Sequence, residues 1–267
     1  MTANLRVTMV QAELAWHAPA TNRRSLAGHF RGLIGHTDLI VLPEMFTTGF
    51  TMDAEGLAET MDGETVHWLR EESAAVGCAI TGSIIVREGS RHYNRLLWVT
   101  PDGQLRHYDK RHLFRMADEH AHFAAGSHRL IVEWKGWRVC PLVCYDLRFP
   151  VWSRNRGDYD VLLFVANWPA RRRVAWTALL RARAIENLCY AVGVNRIGKD
   201  GNGATYAGDS AAFDFLGQSL GGDHGGGDFV ETVVLDGEAL QKYRDKFPAH
   251  LDADDFELLE QRAAVPG

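Results

Sequence analysis

The amino-acid sequence predicts an α/β fold in which helices cover mixed β-sheets. Segments typical of strands alternate with segments of helical periodicity, and two short turn signals join neighbouring strands as hairpins. Hairpins give antiparallel pairs and helical crossovers give parallel ones, so layered mixed sheets are expected. Of the 267 residues, 46% are hydrophobic and 24% charged, which is enough to bury a sizeable core. Because no stretch has the composition of a linker, we expect one domain over residues 1–267.

Apolar runs bounded by turn residues predict about a dozen strands. Segment 38–42 is typical of a buried central strand because it is almost wholly apolar and ends before Pro43. Turn signals at Pro101-Asp102-Gly103 and at Lys135-Gly136 predict two hairpins. By residue number, the clearest predicted strands are 5–11, 38–42, 78–86, 92–100, 105–108, 130–134, 137–143, 161–166, 190–194, 210–215 and 229–235.

Segments with apolar residues at helical spacing predict helices between these strands. In segment 22–33, for example, Leu26, Phe30 and Leu33 fall on one face. The predicted helices are 22–33, 65–76, 149–156, 174–188 and 238–247.

Composition excludes several classes of protein. A formal net charge of -5 and a pI near 6.2 disfavour a nucleic-acid binder, which usually carries a basic excess. No run approaches the ~20 apolar residues of a membrane-spanning helix. The first residues do not resemble a secretory signal, and the four cysteines show no CxxC spacing. We therefore expect a cytoplasmic protein without membrane or nucleic-acid partners.

Three reactive side chains, Glu44, Lys110 and Cys144, stand directly after predicted strands. In α/β sheets, binding residues gather beyond the carboxyl ends of strands. Taken singly, each has a simpler explanation: a loop-bracing carboxylate, a solvated basic surface and a buried structural cysteine. Together they supply a base, a cation and a nucleophile, which is the minimum for acyl transfer through a thioester. Such chemistry needs no metal and no organic cofactor.

Cys144 is the strongest of the three candidates. An apolar strand runs into it and polar residues follow at once, as at a nucleophile elbow. Amides at a helix start and a nearby cation should favour the thiolate. The backbone N–H of Tyr145 should lie close enough to help bind an oxyanion. Cys140 and Cys189, in contrast, are better explained as buried structural residues.

The chain resembles the nitrilase superfamily of carbon–nitrogen hydrolases over nearly its whole length. The motifs Leu42-Pro43-Glu44, Tyr108-Asp109-Lys110 and Cys144-Tyr-Asp-Leu-Arg-Phe-Pro150 occur in the order typical of that superfamily. The resemblance implies a four-layer α-β-β-α sandwich with a Glu–Lys–Cys catalytic set and assembly as a homodimer or higher homo-oligomer. It also implies a second active-site glutamate, matched by Glu119 seven residues before Gly126. That carboxylate is expected to orient the substrate amide and to help fix the catalytic lysine.

The residues after the nucleophile resemble the amidase branches of the superfamily, and the whole pattern is most like the ω-amidases. This resemblance implies a small-molecule amide substrate, 2-oxoglutaramate or 2-oxosuccinamate, whose terminal amide is hydrolysed. An N-carbamoyl compound, a deaminated glutathione or a nitrile would use the same catalytic set. A non-catalytic binding protein on the same scaffold is disfavoured by the intact Glu44, Lys110 and Cys144.

Arg148 is predicted to bind the substrate. It lies one helical turn beyond the nucleophile, and a planar guanidinium can hold a carboxylate through two hydrogen bonds. A structural ion pair with Asp146 or Glu186 explains the same residue equally well.

Other predicted pocket residues are less well defined by their sequence context. Trp168 and Phe46 are expected to contact the substrate, although each also fits plain core packing. The run Arg171-Arg172-Arg173 fits an entrance that attracts anions, a solvated face or a subunit contact.

Overall fold

The computed structural model describes residues 3–222, 224 and 226–258, whose strands form two six-stranded sheets and one two-stranded hairpin. The strands are β1 (Leu5–Gln11), β2 (Leu39–Val41), β3 (Ala79–Glu88), β4 (Arg91–Val99), β5 (Leu105–Asp109), β6 (Val132–Trp134), β7 (Trp137–Val143), β8 (Val161–Ala166), β9 (Tyr190–Asn195), β10 (Ile197–Lys199), β11 (Thr205–Ala207), β12 (Ala211–Phe213), β13 (Ser219–Gly221) and β14 (Phe229–Leu235). The α-helices are α1 (Pro19–Phe30), α2 (Ala54–Leu57), α3 (Glu64–Val76), α4 (Glu119–His122), α5 (Pro150–Ser153), α6 (Arg173–Glu186) and α7 (Gly237–Lys246). Short 3₁₀-helices lie at Arg31–Leu33, Arg115–Ala117, Cys144–Arg148, Ala170–Arg172 and Ala249–Asp252.

Both large sheets are mixed. The first has the order β14-β1-β2-β3-β4-β5, in which β1, β2 and β3 are parallel and the other pairs antiparallel. The second has the order β13-β12-β9-β8-β7-β6, with β7, β8 and β9 parallel. The predicted hairpins form between β4 and β5 and between β6 and β7. Each sheet therefore has a parallel centre and antiparallel edges, and tight turns join the antiparallel pairs β4–β5 and β6–β7.

The sheets pack face to face with helices outside them. Alternate residues of β2 divide between two apolar cores: Leu39 and Val41 face the second sheet, whereas Ile40 and Leu42 face α1 and α3. This division follows from the two-residue period of a strand. β1 contacts β9, and α6 covers β9 and β12 on the far side. The predicted four-layer α-β-β-α sandwich is confirmed.

Local differences from the predicted elements have simple causes. Helix α1 begins at Pro19, three residues before the predicted start, because proline is favoured in the first helical turn. The helix predicted over 149–156 is shorter, at Pro150–Ser153. The hairpin of β10 and β11 was not predicted, since residues 197–207 lack an apolar alternation. Among the described helices, none combines the length and apolarity required to cross a bilayer.

Candidate active site

Glu44, Lys110 and Cys144 meet at one place although three different strands carry them. β2 leads towards Glu44 and β5 into Lys110 in the first sheet, and β7 leads into Cys144 in the second. Lys110 Nζ lies 2.9 Å from Glu44 Oε1, and the charges of both groups act on the Cys144 thiol. Their exposed fractions are 0% for Glu44, 1% for Lys110 and 8% for Cys144. The three predicted side chains thus form one cluster, of which Cys144 is the most exposed residue.

Glu44 is held by donors from both sheets. Its Oε1 accepts from Asn94 Nδ2 at 2.8 Å as well as from Lys110. Its Oε2 accepts from the backbone N–H of Asn167 at 2.8 Å, and the side-chain amide of Asn167 donates back to the Glu44 carbonyl. A buried carboxylate with this many donors is fixed in orientation.

Lys110 lies between two buried carboxylates. Its Nζ donates to Glu119 Oε1 at 3.0 Å and to Glu119 Oε2 at 2.9 Å in addition to Glu44. Burial lowers the pKa of Lys110, but the carboxylates of Glu119 and Glu44 outweigh burial and hold that pKa above its ordinary value. Lys110 is therefore a permanent cation at the centre of the site.

Glu119 begins helix α4 and is completely buried. Its Oε2 also accepts from the backbone N–H of Phe114 at 2.6 Å. Burial raises the pKa of Glu119 against the opposing effect of Lys110. Both of its carboxylate oxygens accept from Lys110, so its geometry fits the expected role of fixing Lys110, and its role in orienting the substrate amide stays a prediction.

Cys144 occupies a strained elbow between β7 and the 3₁₀-helix Cys144–Arg148. Its φ is +44°, in the left-handed region, where a residue with a Cβ costs roughly 1–3 kcal/mol. The Asp146 carboxylate stabilises the elbow by accepting from the backbone N–H of Val143 at 3.0 Å. It also accepts from Tyr108 Oη at 2.8 Å and from His112 Nδ1 at 2.7 Å. Asp146 therefore ties the nucleophile elbow to the end of β5.

The surroundings of the Cys144 thiol act on its pKa in opposite directions. Burial raises the pKa of the thiol well above its ordinary value, and the Glu44 carboxylate raises it further, while Lys110 opposes them. The nearby cation therefore favours the thiolate, as the sequence led us to expect, but burial and the Glu44 carboxylate act more strongly in the opposite direction. The proton must leave the sulfur during attack, and Glu44 is the base placed to receive it.

A cavity of about 240 Å³ opens over the cluster. Lys110 and Cys144 lie in its lining, and so do the predicted residues Tyr145, Arg148 and Trp168. Aromatic, amide and cationic groups and one carboxylate complete the wall, including Phe50, Phe114, Asn167, Arg171, Arg172, Asp200 and Tyr206. This volume suits a small molecule rather than a polypeptide segment.

Phe46 does not contact this cavity, so the prediction that it binds the substrate is wrong. Its ring is completely buried on the other side of the first sheet, 5.9 Å from the Trp68 ring and against Gly82. Phe50, four residues later, lines the cavity instead, with its ring centroid 5.2 Å from Lys110 Nζ.

Arg148 makes neither of the structural ion pairs that its sequence position allowed. Asp146 is engaged as described, and Glu186 pairs with Arg183 at 2.8 Å. The Arg148 guanidinium instead lies over the Trp168 ring, 4.8 Å from its centroid. Within the described residues it has no carboxylate partner, so its donors remain available to the cavity.

The arginine run divides between two environments. Arg171 and Arg172 line the cavity, whereas Arg173 binds the Asp209 carboxylate at 2.6 and 3.0 Å on the surface. Two buried residues of the site, Asn94 and Asn167, were not identified from the sequence as functional. Asn167 follows strand β8, so its position after an apolar run was a usable signal.

Comparisons with known proteins agree with this geometry. Residues 6–244 match the model of the carbon–nitrogen hydrolase family. The chain is 48% identical to the ω-amidase YafV of Escherichia coli K12, over 95% of this chain and 98% of that protein. It is 31% identical to a 2-oxoglutaramate amidase of Bacillus subtilis, over 92% of this chain and 96% of that protein.

A solved structure supports the same assignment. The protein XC1258 of Xanthomonas campestris, described as a CN-hydrolase superfamily protein with an arsenic adduct in its active site, superimposes with a TM-score of 0.94. It is 53% identical, and the match covers 96% of this chain and 99% of that one. A family match across most of the sequence and a shared fold lead to one conclusion: this chain belongs to the carbon–nitrogen hydrolase family.

Proposed function

We propose that this protein is an ω-amidase, which hydrolyses the terminal amide of a small carboxylate-bearing substrate such as 2-oxoglutaramate or 2-oxosuccinamate to acid and ammonia. The observation that carries the proposal is one cavity that contains a nucleophilic sulfur beside Lys110 and, on its wall, the guanidinium of Arg148, which pairs with no carboxylate of the described residues. An amide at one end of a short substrate and a carboxylate at the other match these two features.

In the acylation step, the Cys144 sulfur attacks the amide carbon while Glu44 takes the thiol proton. The carbonyl oxygen becomes an oxyanion, which Lys110 and the backbone N–H of Tyr145 stabilise. When the tetrahedral intermediate collapses, the C–N bond breaks and Glu44 gives its proton to the nitrogen, so ammonia leaves. The product on the enzyme is a thioester.

In the deacylation step, water attacks the thioester carbon and Glu44 takes a proton from it. The second tetrahedral intermediate collapses with cleavage of the C–S bond, the sulfur regains a proton and the acid leaves. Because Glu44 accepts and returns one proton in each half, no other base is required. The buried contacts of Glu44 with Asn94 and Asn167 support this role, since they keep one carboxylate orientation throughout.

The test of the proposal is ammonia release from 2-oxoglutaramate compared with glutamine, an amide of equal length with an ammonium in place of the keto group. We expect turnover of 2-oxoglutaramate with a much higher kcat/KM than of glutamine. A panel with an N-carbamoyl amino acid, a deaminated glutathione and a nitrile should give lower values. Preference for any of these three would overturn the substrate class, and no turnover of any amide would support a binding protein.

The domain organisation, compartment and oligomeric state of the enzyme are also part of the proposal. We propose a single-domain cytoplasmic protein that acts as a homodimer or higher homo-oligomer. All four cysteines are free, which suits a reducing compartment. Apolar side chains of Val151, Val174 and Ile185 are exposed on α5 and α6, beside the site, and would be covered by a second copy. Sedimentation of the purified protein at micromolar concentration should give twice the monomer mass or a higher multiple of it, and a monomer mass would contradict the proposal.

A further inference from the structure

Arg172 has an unusual environment for a guanidinium. Its Nη1 is buried and has no acceptor among the described residues. Its Nη2 contacts the Met116 sulfur at 2.7 Å, and the group lies over the Phe114 ring, 5.4 Å from the centroid. A thioether is a weak acceptor and a ring face offers no lone pair. The donors of Arg172 are therefore poorly satisfied within the chain, which is costly for a charged group.

The surroundings of Arg172 are also positively charged. Burial lowers the pKa of its guanidinium, and the neighbouring cations Arg171 and Arg148 lower it further. The lining contains one acidic residue in the described chain, Asp200, whose carboxylate already accepts from Tyr206 Oη at 2.7 Å and from backbone amides. Cations that repel one another without a counter-ion favour an anion between them.

Trp168 links Arg172 to Arg148. The indole Nε1 donates to the Arg172 carbonyl at 2.9 Å, and the same ring carries the Arg148 guanidinium on its face. The backbone N–H of Trp168 in turn donates to Asn195 Oδ1 at 2.8 Å. Trp168 thus contacts the Arg148 guanidinium and the backbone from which the Arg172 side chain extends, whereas Arg171 is exposed at the rim.

We propose that Arg172 and Arg148 form a two-guanidinium clamp on the substrate, and that Arg172 sets the preference for anionic ω-amides without a neighbouring ammonium. The clamp takes a carboxylate together with an adjacent oxygen, as in a 2-oxo acid, because two planar guanidinium groups supply donors to all of these oxygens. An α-ammonium would face two cations and is repelled. This inference rests on the proposed ω-amidase function and adds the residue that selects the substrate.

The experiment compares wild type with Arg172→Met on four amides of similar length: 2-oxoglutaramate, glutaramate, glutamine and uncharged pentanamide. Loss of a charge-assisted contact should lower the kcat/KM ratio of glutaramate to pentanamide by roughly 10- to 100-fold. The ratio of glutaramate to glutamine should fall as well, since removing one cation relieves repulsion of the ammonium. Arg172→Lys should restore part of both ratios, because it keeps the charge and loses the planar donor pair.

Two variants control for unrelated effects. Arg181→Met removes another guanidinium that lies over a ring, that of Phe213, but outside the cavity, and should keep the wild-type ratios. Arg171→Met should lower the ratios less than Arg172→Met, with a loss that salt abolishes. An equal loss at Arg171, or an Arg172→Met enzyme weakened alike on charged and uncharged amides, would overturn the inference.

Failure of the proposed function would give a different result from failure of the role proposed for Arg172. In that case the wild-type enzyme would hydrolyse neither 2-oxoglutaramate nor glutaramate in preference to pentanamide. If the wild type prefers the anionic amides and Arg172→Met keeps that preference, the function stands and the role given to Arg172 is wrong.

Discussion

The two halves of the catalytic centre are fixed by different physical means. The first sheet supplies an ionic half, in which Lys110 bridges the carboxylates of Glu44 and Glu119. The second sheet supplies Cys144, which is positioned by a left-handed backbone and by the hydrogen bonds of Asp146. An ionic half depends on charge balance, so each of its members is coupled to the others. The backbone elbow instead positions one atom, the Cys144 sulfur. This atom can be replaced with little effect on the other members of the site.

The largest expected effect comes from removing that single atom. Cys144→Ala should lower turnover by at least about 10⁴-fold, because no other group can form the thioester. The melting temperature should stay near that of wild type, since the variant loses only one sulfur. Ammonia release and thermal unfolding measure the two quantities. Cys78→Ala is the matched control at a buried cysteine outside the site and should retain turnover; significant activity in Cys144→Ala would remove the sulfur from the mechanism.

A variant of the ionic half should lose both activity and stability. Lys110→Met removes an oxyanion donor, which should lower kcat by about 10²- to 10³-fold. It also leaves Glu44 and Glu119 buried without a cation, which should cost about 3–5 kcal/mol of the free energy of unfolding. Steady-state kinetics and urea unfolding check the two effects.

The double variant Lys110→Met with Glu119→Gln separates the effect on activity from the effect on stability. It restores the charge balance, so stability should recover in part while kcat stays low. Recovery of kcat in the double variant would mean that Lys110 only neutralises Glu119 and does not act on the substrate.

Asp146 joins the two halves, so its substitution should have an intermediate effect. Asparagine has one acceptor oxygen instead of two and cannot serve Val143, Tyr108 and His112 together. A displaced elbow should lower kcat by up to about 100-fold with little change in KM, since misplacement affects the reacting atoms first. Tyr108→Phe removes a single one of these bonds and should lower kcat less. A rise in KM alone would contradict this positioning role.

The sequence predicted the backbone half of the site better than its electrostatics. Strand β7 followed at once by polar residues was sufficient to identify Cys144 and its elbow, because both are local properties of the chain. The sequence pointed to a cation that favours the thiolate, but it could not show that burial and Glu44, which follows another strand, raise the pKa of the thiol. Asn94 was not identified because it lies within β4, where no break in the pattern marks it.

The residues that line the cavity show the same contrast between local sequence and tertiary structure. Phe46 and Phe50 have similar sequence contexts, and only the tertiary fold shows that Phe46 packs beneath α3 while Phe50 reaches the cavity. The free state of Arg148 could not be predicted either, because it depends on which partners Asp146 and Glu186 take elsewhere. Local sequence patterns therefore locate the reactive groups. The electrostatic environment and the contacts of those groups depend on how the two sheets pack together.

A smaller effect is expected at Gly126, where the segment that follows Glu119 packs against β5. Gly126 packs so closely on β5 that an added Cβ would lie 2.1 Å from the Asp109 carbonyl oxygen, and its N–H donates to the Lys110 carbonyl. Gly126→Ala should therefore cost about 1–3 kcal/mol of the free energy of unfolding. Gly28→Ala, on α1 with open space around it, should instead stabilise by about 0.5–1 kcal/mol. Equal effects in urea unfolding would show that the Gly126 contact is not close.

The last effect, up to about tenfold in rate per pH unit, concerns the proton on Cys144. Because burial and Glu44 raise the pKa of this thiol well above its ordinary value, the thiolate fraction should still be rising at neutral pH. Iodoacetamide alkylation, followed by intact mass between about pH 6 and 9, should therefore accelerate steadily without a plateau. Glu44→Gln removes the charge that raises the pKa and should move the profile to lower pH, with Cys144→Ala as the background. A plateau below pH 7 in the wild type would mean a preformed thiolate, and the second half would then be ionic as well.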